Sequence, residues 1–486
     1  MIDLKALREN PDRYRKGAAH KRVAVDIDRL LELDAEKRDL QTRIESLRAQ
    51  QNKLAKETGP QIGKLMGALK KASDQEKPAI EAQVATIKAA PAALKTEIQQ
   101  LDQRLAAIEP ELATLLLAVP QPADPDVPIG ESADDNVELR VWTPDDWDPA
   151  KSFFENKGFH PKTHLELCEN LGLVDYPRGV KLAGSRSYIL TGDGMRLHQA
   201  ILRYALEFMV ANHGFKPMSV PVLVRENAMV GTGFFPGGRA QSYLIDETRR
   251  WQIESDEDQD GGGADTKGQD LYLTGTGEVG LMGLHMDEIL DEADLPLQYV
   301  TVSTCFRREA GAAGKDTAGL YRVHQFDKVE QVVICRADEA ESRQWHQNMI
   351  SFVEDLLQSL ALPYRLLQCC TGDLGVKNAD MIDLECWMPG RGDLDAEGIP
   401  TGAWSETHSA SRLYDFQCRR LNMRYRPGGE AGKAPTTICH SLNNTVAASP
   451  RLMIPILEMY QNEDGSVTIP EVLRPYMGGQ RRILPN

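Results

Sequence analysis

The chain has 486 residues, 41% hydrophobic and 26% charged, with a formal net charge of −16 and a pI near 5.2. That length supplies two or three domains with large cores, so no disulfide or metal staple is needed, and eight cysteines without a Cys-x-x-Cys pair read as reduced, mostly buried thiols. No apolar run reaches the roughly 18 residues of a membrane helix and the opening MIDLKALREN is too charged for a signal peptide, which leaves the cytoplasm as the expected location. The acidity argues against nucleic-acid binding unless a local basic strip provides it.

Residues 1–118 are expected to form an N-terminal domain carrying a long helical hairpin over about 27–117. Between Ile27 and Glu57, Leu33, Leu40, Leu47 and Leu54 recur every seven residues, with Leu30 and Ile44 interleaved. This is a coiled-coil seam. A second series runs Val84, Ile87, Leu94, Ile98, Leu101, Leu105, Ile108, Leu112 and Leu115, and Pro91 is expected to kink it or mark a break. The Gly- and Pro-punctuated stretch TGPQIGKLMGALKKASDQEKP between them predicts a connection that folds the helices back as an antiparallel pair. Thirty residues per helix give an arm of roughly 45 Å. Near its expected tip lie Lys53, Lys56, Lys64, Lys70, Lys71 and Lys77. They suit either a solubilising, solvent-facing edge or contact with a nucleic-acid backbone, and bundling in a homodimer is a further use for such helices.

Residues 119–160, opening with VPQPADPDVPIGESADDN, read as a linker. Residues 161–486 alternate helical and strand patterns in the manner of an α+β domain built on an antiparallel sheet. An amphipathic helix is predicted over GMRLHQAILRYALEFMVANHG, a strand at FKPMSVPVLV, and a strand passing into a helix over LYLTGTGEVGLMGLHMDEIL. The segment 254–270, ESDEDQDGGGADTKGQD, is acidic, glycine-rich and aperiodic, and predicts a surface insertion.

Several chemically loaded positions follow. Thr276 and Glu278 lie two apart on the strand-like LYLTGTGEVG and are expected to share one face, as a pocket wall or an ordinary polar face. The run from Cys305 to Glu330, CFRREAGAAGKDTAGLYRVHQFDKVE, predicts two strands joined by a long connection, with Arg307 and Arg322 facing one another across a pocket. Arginine suits such a place because its planar fork donates two parallel hydrogen bonds to phosphate or carboxylate and keeps its charge. Further on, GAWSETHSASRLYDFQCRR holds Glu406 and Ser409, and HSLNNTVAASPRLMIPILEMYQ reads as strand, turn and helix with Arg451 at the helix entrance. A zinc site assembled from Cys386 and His408 is a weak alternative.

The Cys305–Glu330 string resembles the second signature motif of class II aminoacyl-tRNA synthetases, in the form FRxEAG, loop, RxHQFxKVE found in seryl-tRNA synthetases. The resemblance extends to GTGFFPGG at residues 231–238, to Pro221 at the proline of the first motif, to the Arg451 segment as the third, and to IPEVLRPYMGG near the end. It implies a class II catalytic domain and a homodimer. It implies that Arg307 contacts the α-phosphate and the amino-acid carboxylate, that Glu309 contacts the adenine side of ATP, and that Arg451 sits over the γ-phosphate. Arg322 belongs to the same ATP-binding set, and Glu406 with Ser409 implies a hold on Mg²⁺. Thr276, Glu278, Glu330 and Thr445 are implied to hold serine. The arm is implied to grip tRNA(Ser), and charging of tRNA(Sec) stays open. Two stretches depart from the family pattern. Ser-Ser-Cys-Ser-Asn is here His408, Ser409, Ala410, Ser411 and Arg412, where the arginine is expected to pair with a phosphate or crowd it. In the third motif the family's Asn-Gly-Ser-Gly followed by Gly-Arg is here Asn443, Asn444, Thr445 and Val446, then Pro450 and Arg451, and the lost glycines predict a less permissive turn. Two rivals remain: a paralogue that activates another small amino acid or loads another acceptor, and a non-catalytic RNA-binding derivative.

Overall fold

The computed structural model describes residues 1–245, 271–310, 316, 318–428 and 434–485, so the acidic segment 254–270 lies outside the described residues. The chain divides into two compact units. One comprises Lys5–Pro11 and Ala24–Val119, the other Met1–Leu4, Asp12–Val23 and Pro120–Asn486.

The first unit is built on two long helices, α1 (Ile27–Leu69) and α2 (Lys77–Ala118). The predicted seam is present: Ile27, Leu30, Leu33, Leu40 and Ile44 are buried on α1 and Val84, Ile98, Ile108 and Leu112 on α2, while Leu47, Leu54, Ile87, Leu94, Leu101, Leu105 and Leu115 are half-buried and the neighbouring Leu116 is the buried residue at the last turn. Antiparallel register is reinforced by ion pairs between the helices, Arg29 with Glu111 at 2.8 Å, Arg104 with Glu36 at 2.6 Å, Lys37 with Glu109 at 2.9 Å and Arg48 with Asp102 at 3.1 Å. The expected loop beginning at Thr58 is absent. Helix α1 continues through Gly59, Pro60, Gly63 and Gly67 to Leu69, 43 residues in all, or about 65 Å at the helical rise. Glycine and proline lower helix propensity, but the half-buried Ile62, Leu65 and Leu69 prolong the apolar stripe, and packing overrides propensity. The connection shrinks to residues 70–76, where the Glu76 carboxylate accepts from the Ser73 amide at 3.0 Å and from its hydroxyl at 2.6 Å. Nor does Pro91 break α2, which contains Pro110 as well.

The second unit is organised by an eight-stranded sheet: β1 (Val137–Trp142), β2 (Lys216–Met218), β3 (Leu297–Phe306), β4 (Gln325–Cys335), β5 (Tyr364–Gln368), β6 (Asp380–Met388), β7 (Ala403–Tyr414) and β8 (His440–Ser449). The spatial order is β1-β5-β6-β7-β8-β4-β3-β2. Every pairing is antiparallel except β2 with β3, a short parallel edge. The stretch expected to be a linker instead supplies β1 and a buried carboxylate. Asp124 is 6% exposed, its amide bonds the Ala379 carbonyl at 2.8 Å, and its side chain accepts from Arg412 and Tyr414. Proline and aspartate misled here because the acid is neutralised by a partner nearly 300 residues away.

Helices α3 (Gly192–His213) and α4 (Glu339–Ser359) belong to the main core, where Leu197, Ile201, Met209, Met349, Val353 and Leu357 pack with Val329, Val333, Leu384 and Leu442 of the sheet. Gln331 and Asn444 also point to that side, each donating to the Met349 carbonyl, at 3.1 and 3.0 Å. Because strand residues alternate, Glu330, Asn443 and Thr445 face the other way. The functional side chains therefore gather on the sheet face opposite α4.

Candidate active site

A pocket opens on that face, lined among others by Arg307, Glu309, Arg322, Phe326, Glu406, Thr445 and Arg451. The loop after β3 is closed by two bonds between Arg307 and His324: the Arg307 amide donates to the His324 carbonyl at 2.9 Å, and the His324 ring donates to the Arg307 carbonyl at 2.8 Å. The exposed Arg307 side chain donates from Nε to the Gly275 carbonyl at 3.3 Å, and its guanidinium lies 5.3 Å from the Phe326 ring. Glu309 has a left-handed backbone, φ 51°, and accepts from Arg322 Nη1 at 3.0 Å. The expected pair Arg307 and Arg322 thus lines one cavity, with Arg322 held by Glu309.

Arg451 approaches from the far wall. It donates to the carbonyls of Tyr321 and Glu406, both at 3.2 Å, lies 4.4 Å from the Tyr321 ring, and pairs with the Glu406 carboxylate at 3.4 Å. A second guanidinium, Arg391, sits 4.0 Å from the same ring and pairs with Asp316 at 2.9 Å. Sequence reasoning passed over Arg391, which lies outside every motif.

Glu406 and Ser409 differ in strand parity, yet both lie on the pocket face. A register shift makes this possible, for Glu406 pairs with Glu385 while His408 pairs with Leu384 and Ser409 with Asp383. Glu406 lines the cavity with its side chain 46% exposed; Ser409 is absent from the lining and bonds Asp383. Burial, then the charge of Glu406, pushes the Asp383 carboxyl well above the ordinary carboxylate range. The Cys386 and His408 zinc alternative is not formed. Both bond the Thr407 hydroxyl, at 3.2 and 2.8 Å, and burial drives the Cys386 thiol up to about 12 and the His408 imidazole down to about 3. Arg412 does not reach the pocket either. It is 2% exposed and locked to Asp124 and Asp380, the latter at 2.8 Å.

Next to Thr445 the same face carries a buried cluster of polar side chains, an inner compartment closed to solvent by packing. Thr276, Glu278 and Glu330 are 3%, 3% and 2% exposed. The expected strand over Thr276 and Glu278 stops at Leu273; Thr276 is in a turn, Glu278 opens the helix Glu278–Gly283, and the Glu278 amide donates to the Thr276 hydroxyl at 3.3 Å. Glycine sets this course: a Cβ on Gly277 would meet Thr301 at 2.5 Å and Glu330 at 3.5 Å, so only glycine lets the turn lie against β3 and β4. Glu330 pairs with Lys328, and its carboxyl is raised by burial, with Lys328 opposing and Glu278 adding to the rise. Glu278 accepts from Gln417 at 2.6 Å and Asn443 at 2.7 Å, and both of its oxygens meet the Lys377 ammonium, at 2.5 and 2.7 Å. No sequence signal marked Lys377 or Gln417, since each comes to Glu278 from a distant segment.

Of the positions where the family has glycine, Asn444 and Val446 lie within the regular strand that runs to Ser449, where no turn is needed. Pro450 opens the turn that carries Arg451 and itself lines the pocket, so the less permissive turn falls there.

Comparison with known proteins agrees with this geometry. Residues 1–122 match the family described as seryl-tRNA synthetase N-terminal domain, and residues 259–460 match the tRNA synthetase class II core domain (G, H, P, S and T). The chain is 39% identical over 480 residues to a serine–tRNA ligase of Deinococcus radiodurans, spanning 99% of this chain and 98% of that one. It is 40% identical over 484 residues to one of Thermomicrobium roseum, spanning 99% and 95%. The crystal structure of seryl-tRNA synthetase from Pyrococcus horikoshii complexed with ATP superposes with a TM-score of 0.76 at 34% identity, covering both chains completely. With its coiled-coil helical pair, its antiparallel sheet, both family models matched and relatives aligned over nearly the full length, the chain belongs to the seryl-tRNA synthetase family.

Proposed function

We propose that this protein joins L-serine to AMP at the expense of ATP and transfers the seryl group to the 3′-terminal ribose of tRNA(Ser), as a serine–tRNA ligase of class II. The observation that carries this reading is the meeting, on one sheet face, of an arginine-walled outer pocket with a buried Glu330–Thr445 pair. The outer pocket suits a triphosphate and the inner pair suits a small hydroxyl.

In the first step a serine carboxylate oxygen attacks the α-phosphorus, and the bond to the β-phosphate bridging oxygen breaks as pyrophosphate leaves. No protein nucleophile is required. Arg307 holds the carboxylate and α-phosphate in line, and Arg451 offsets charge on the departing phosphates. Arg322 and Glu309, already bonded to one another, form the wall for the base. Glu406 offers a hard, exposed oxygen toward the phosphates, which fits Mg²⁺, an ion that takes one or two carboxylates plus phosphates and water. When bound, Mg²⁺ would neutralise phosphate charge; Ser409, outside the lining, bonds Asp383 on the same face and backs the wall at Glu406. Glu330 and Thr445 take the serine hydroxyl, and Thr276 and Glu278 the α-ammonium.

The helical hairpin supports tRNA binding by its charge segregation. Its basal half is laced by arginine–glutamate pairs, whereas residues 49–95 hold eight lysines against four acids. Lys53, Lys56, Lys64, Lys70 and Lys71 are exposed and enter no ion pair among the described residues. Such a strip meets RNA through phosphates and shape. We place the enzyme in the cytoplasm, consistent with eight free, buried cysteines, and as a homodimer formed around α3 and the Pro221 segment.

The test is charging of total tRNA with labelled serine. Serine attached to tRNA, and no other amino acid, is the expected product; charging with a different amino acid, or labelling of a protein acceptor, would replace this reading with that of a paralogue.

A further inference from the structure

The inner compartment holds its own cations. Lys377 Nζ lies 2.5 and 2.7 Å from the two Glu278 oxygens and 4.2 Å from the centre of the Phe234 ring. Lys328, which also lines the outer pocket, pairs with one oxygen of Glu330. Two carboxylates and two ammoniums leave the compartment without the net negative charge that an incoming α-ammonium requires. A buried carboxylate attracts a third cation poorly once its charge is already matched.

The partners of Glu278 differ in how they are held. Gln417 and Asn443 are fixed by helix and strand and are 0% and 7% exposed. Lys377 enters from a turn whose Gly375 and Val376 are exposed, and its long, unbranched stem ends on nothing but Glu278 and the face of Phe234 among its described contacts. It is the partner that can leave. Resting on the placement of the serine α-ammonium at Glu278, we propose that Lys377 is a resident surrogate for that ammonium, which serine must displace, and that it sets the affinity and amino-group selectivity of the enzyme.

The consequences are quantitative. If Lys377 occupies Glu278 in most molecules, the apparent dissociation constant for serine is the intrinsic one divided by the fraction with Lys377 withdrawn. Replacing the lysine sets that fraction to one. In addition, an analogue without the α-amino group, glyceric acid, leaves Lys377 in place in the natural protein and loses little, whereas without Lys377 it leaves the buried Glu278 charge with no counter-cation, only the Gln417 and Asn443 amides.

The experiment measures KM for serine in serine-dependent pyrophosphate exchange, and the inhibition constant of D- and L-glycerate, for the natural protein and for Lys377→Ala, Lys377→Gln and Lys377→Arg. The proposal predicts that KM for serine falls about tenfold or more in the alanine and glutamine variants, while inhibition by glycerate weakens relative to serine by a similar factor. Lys377→Arg should keep the behaviour of the natural protein in both respects. A KM for serine that is unchanged or raised in Lys377→Gln, in protein whose melting temperature shows it folded, would overturn the proposal and make Lys377 a structural counter-ion. So would an unchanged serine-to-glycerate ratio. Absence of serine-dependent exchange in the natural protein would instead defeat the underlying functional reading.

Discussion

Glu330 on β4 and Thr445 on β8 are register partners across two adjacent strands, at the point where a shift between Val329 and Glu330 alters the pairing. Their side chains leave the same sheet face, Thr445 into the open pocket and Glu330 into the closed compartment next to it. In the proposed function that relationship makes the substrate hydroxyl a requirement, because an amino acid lacking it would leave the pair unsatisfied.

Thr445→Val should therefore lower kcat/KM for serine by ten- to a hundredfold, equivalent to about 1.5–3 kcal/mol, while leaving the weak activation of alanine almost unaltered. Steady-state pyrophosphate exchange with the two amino acids measures both.

Substituting Lys53, Lys56, Lys64, Lys70 and Lys71 together by alanine should raise KM for tRNA and flatten its dependence on salt, because fewer counterions are released on binding. Amino-acid activation without tRNA should not change. Deleting the hairpin from about Ile27 to Ile108 should abolish charging and spare adenylate formation. Loss of both would make the helices part of what holds the catalytic unit together.

His408 is buried and held down to about 3, by desolvation first and the nearby Arg451 second, with a backbone bond to Val446 opposing. Its unfolded value is near 6.5. Between those values the unfolded chain binds a proton that the folded chain does not, so this contribution to stability is complete above about pH 6.5 and is lost as pH falls below it, by up to about 1.4 kcal/mol per unit. His408→Gln should flatten the loss between pH 6.5 and 5. Denaturant melts of both proteins at each pH give the difference.

Arg412, Asp124, Asp380 and Tyr414 form a buried cluster, with Arg343 joining Asp124 at 3.0 Å. Arg412→Ala leaves two carboxylates without their main cation and should cost about 3–5 kcal/mol. Replacing Arg412, Asp124 and Asp380 together by apolar residues should recover much of that loss in the same denaturation measurement.

Much of this architecture could be read from the sequence because it is local. Heptads disclosed the helical pair, alternation disclosed β3 and β4, and the chemistry of the intervening loop disclosed Arg307, Glu309 and Arg322. Helix length was misjudged because Gly59, Pro60 and Gly63 are local breakers, whereas the stripe of Ile62, Leu65 and Leu69 acts through a partner helix. The turn at Thr276 was mistaken for strand because Gly277 is shaped by its approach to Thr301, which alternation does not encode. Asp124 with Arg412, and Glu278 with Lys377, unite residues hundreds or about a hundred positions apart; composition assigned Asp124 to a linker, and the family resemblance set Arg412 beside a phosphate. Long-range charge pairing leaves no periodic trace.

The central claim is tested most directly by amino-acid-dependent exchange of labelled pyrophosphate into ATP, with serine, threonine, alanine, glycine and cysteine supplied separately. The account predicts strong exchange with serine alone. Strong exchange with another of the five, or none with serine, would contradict it.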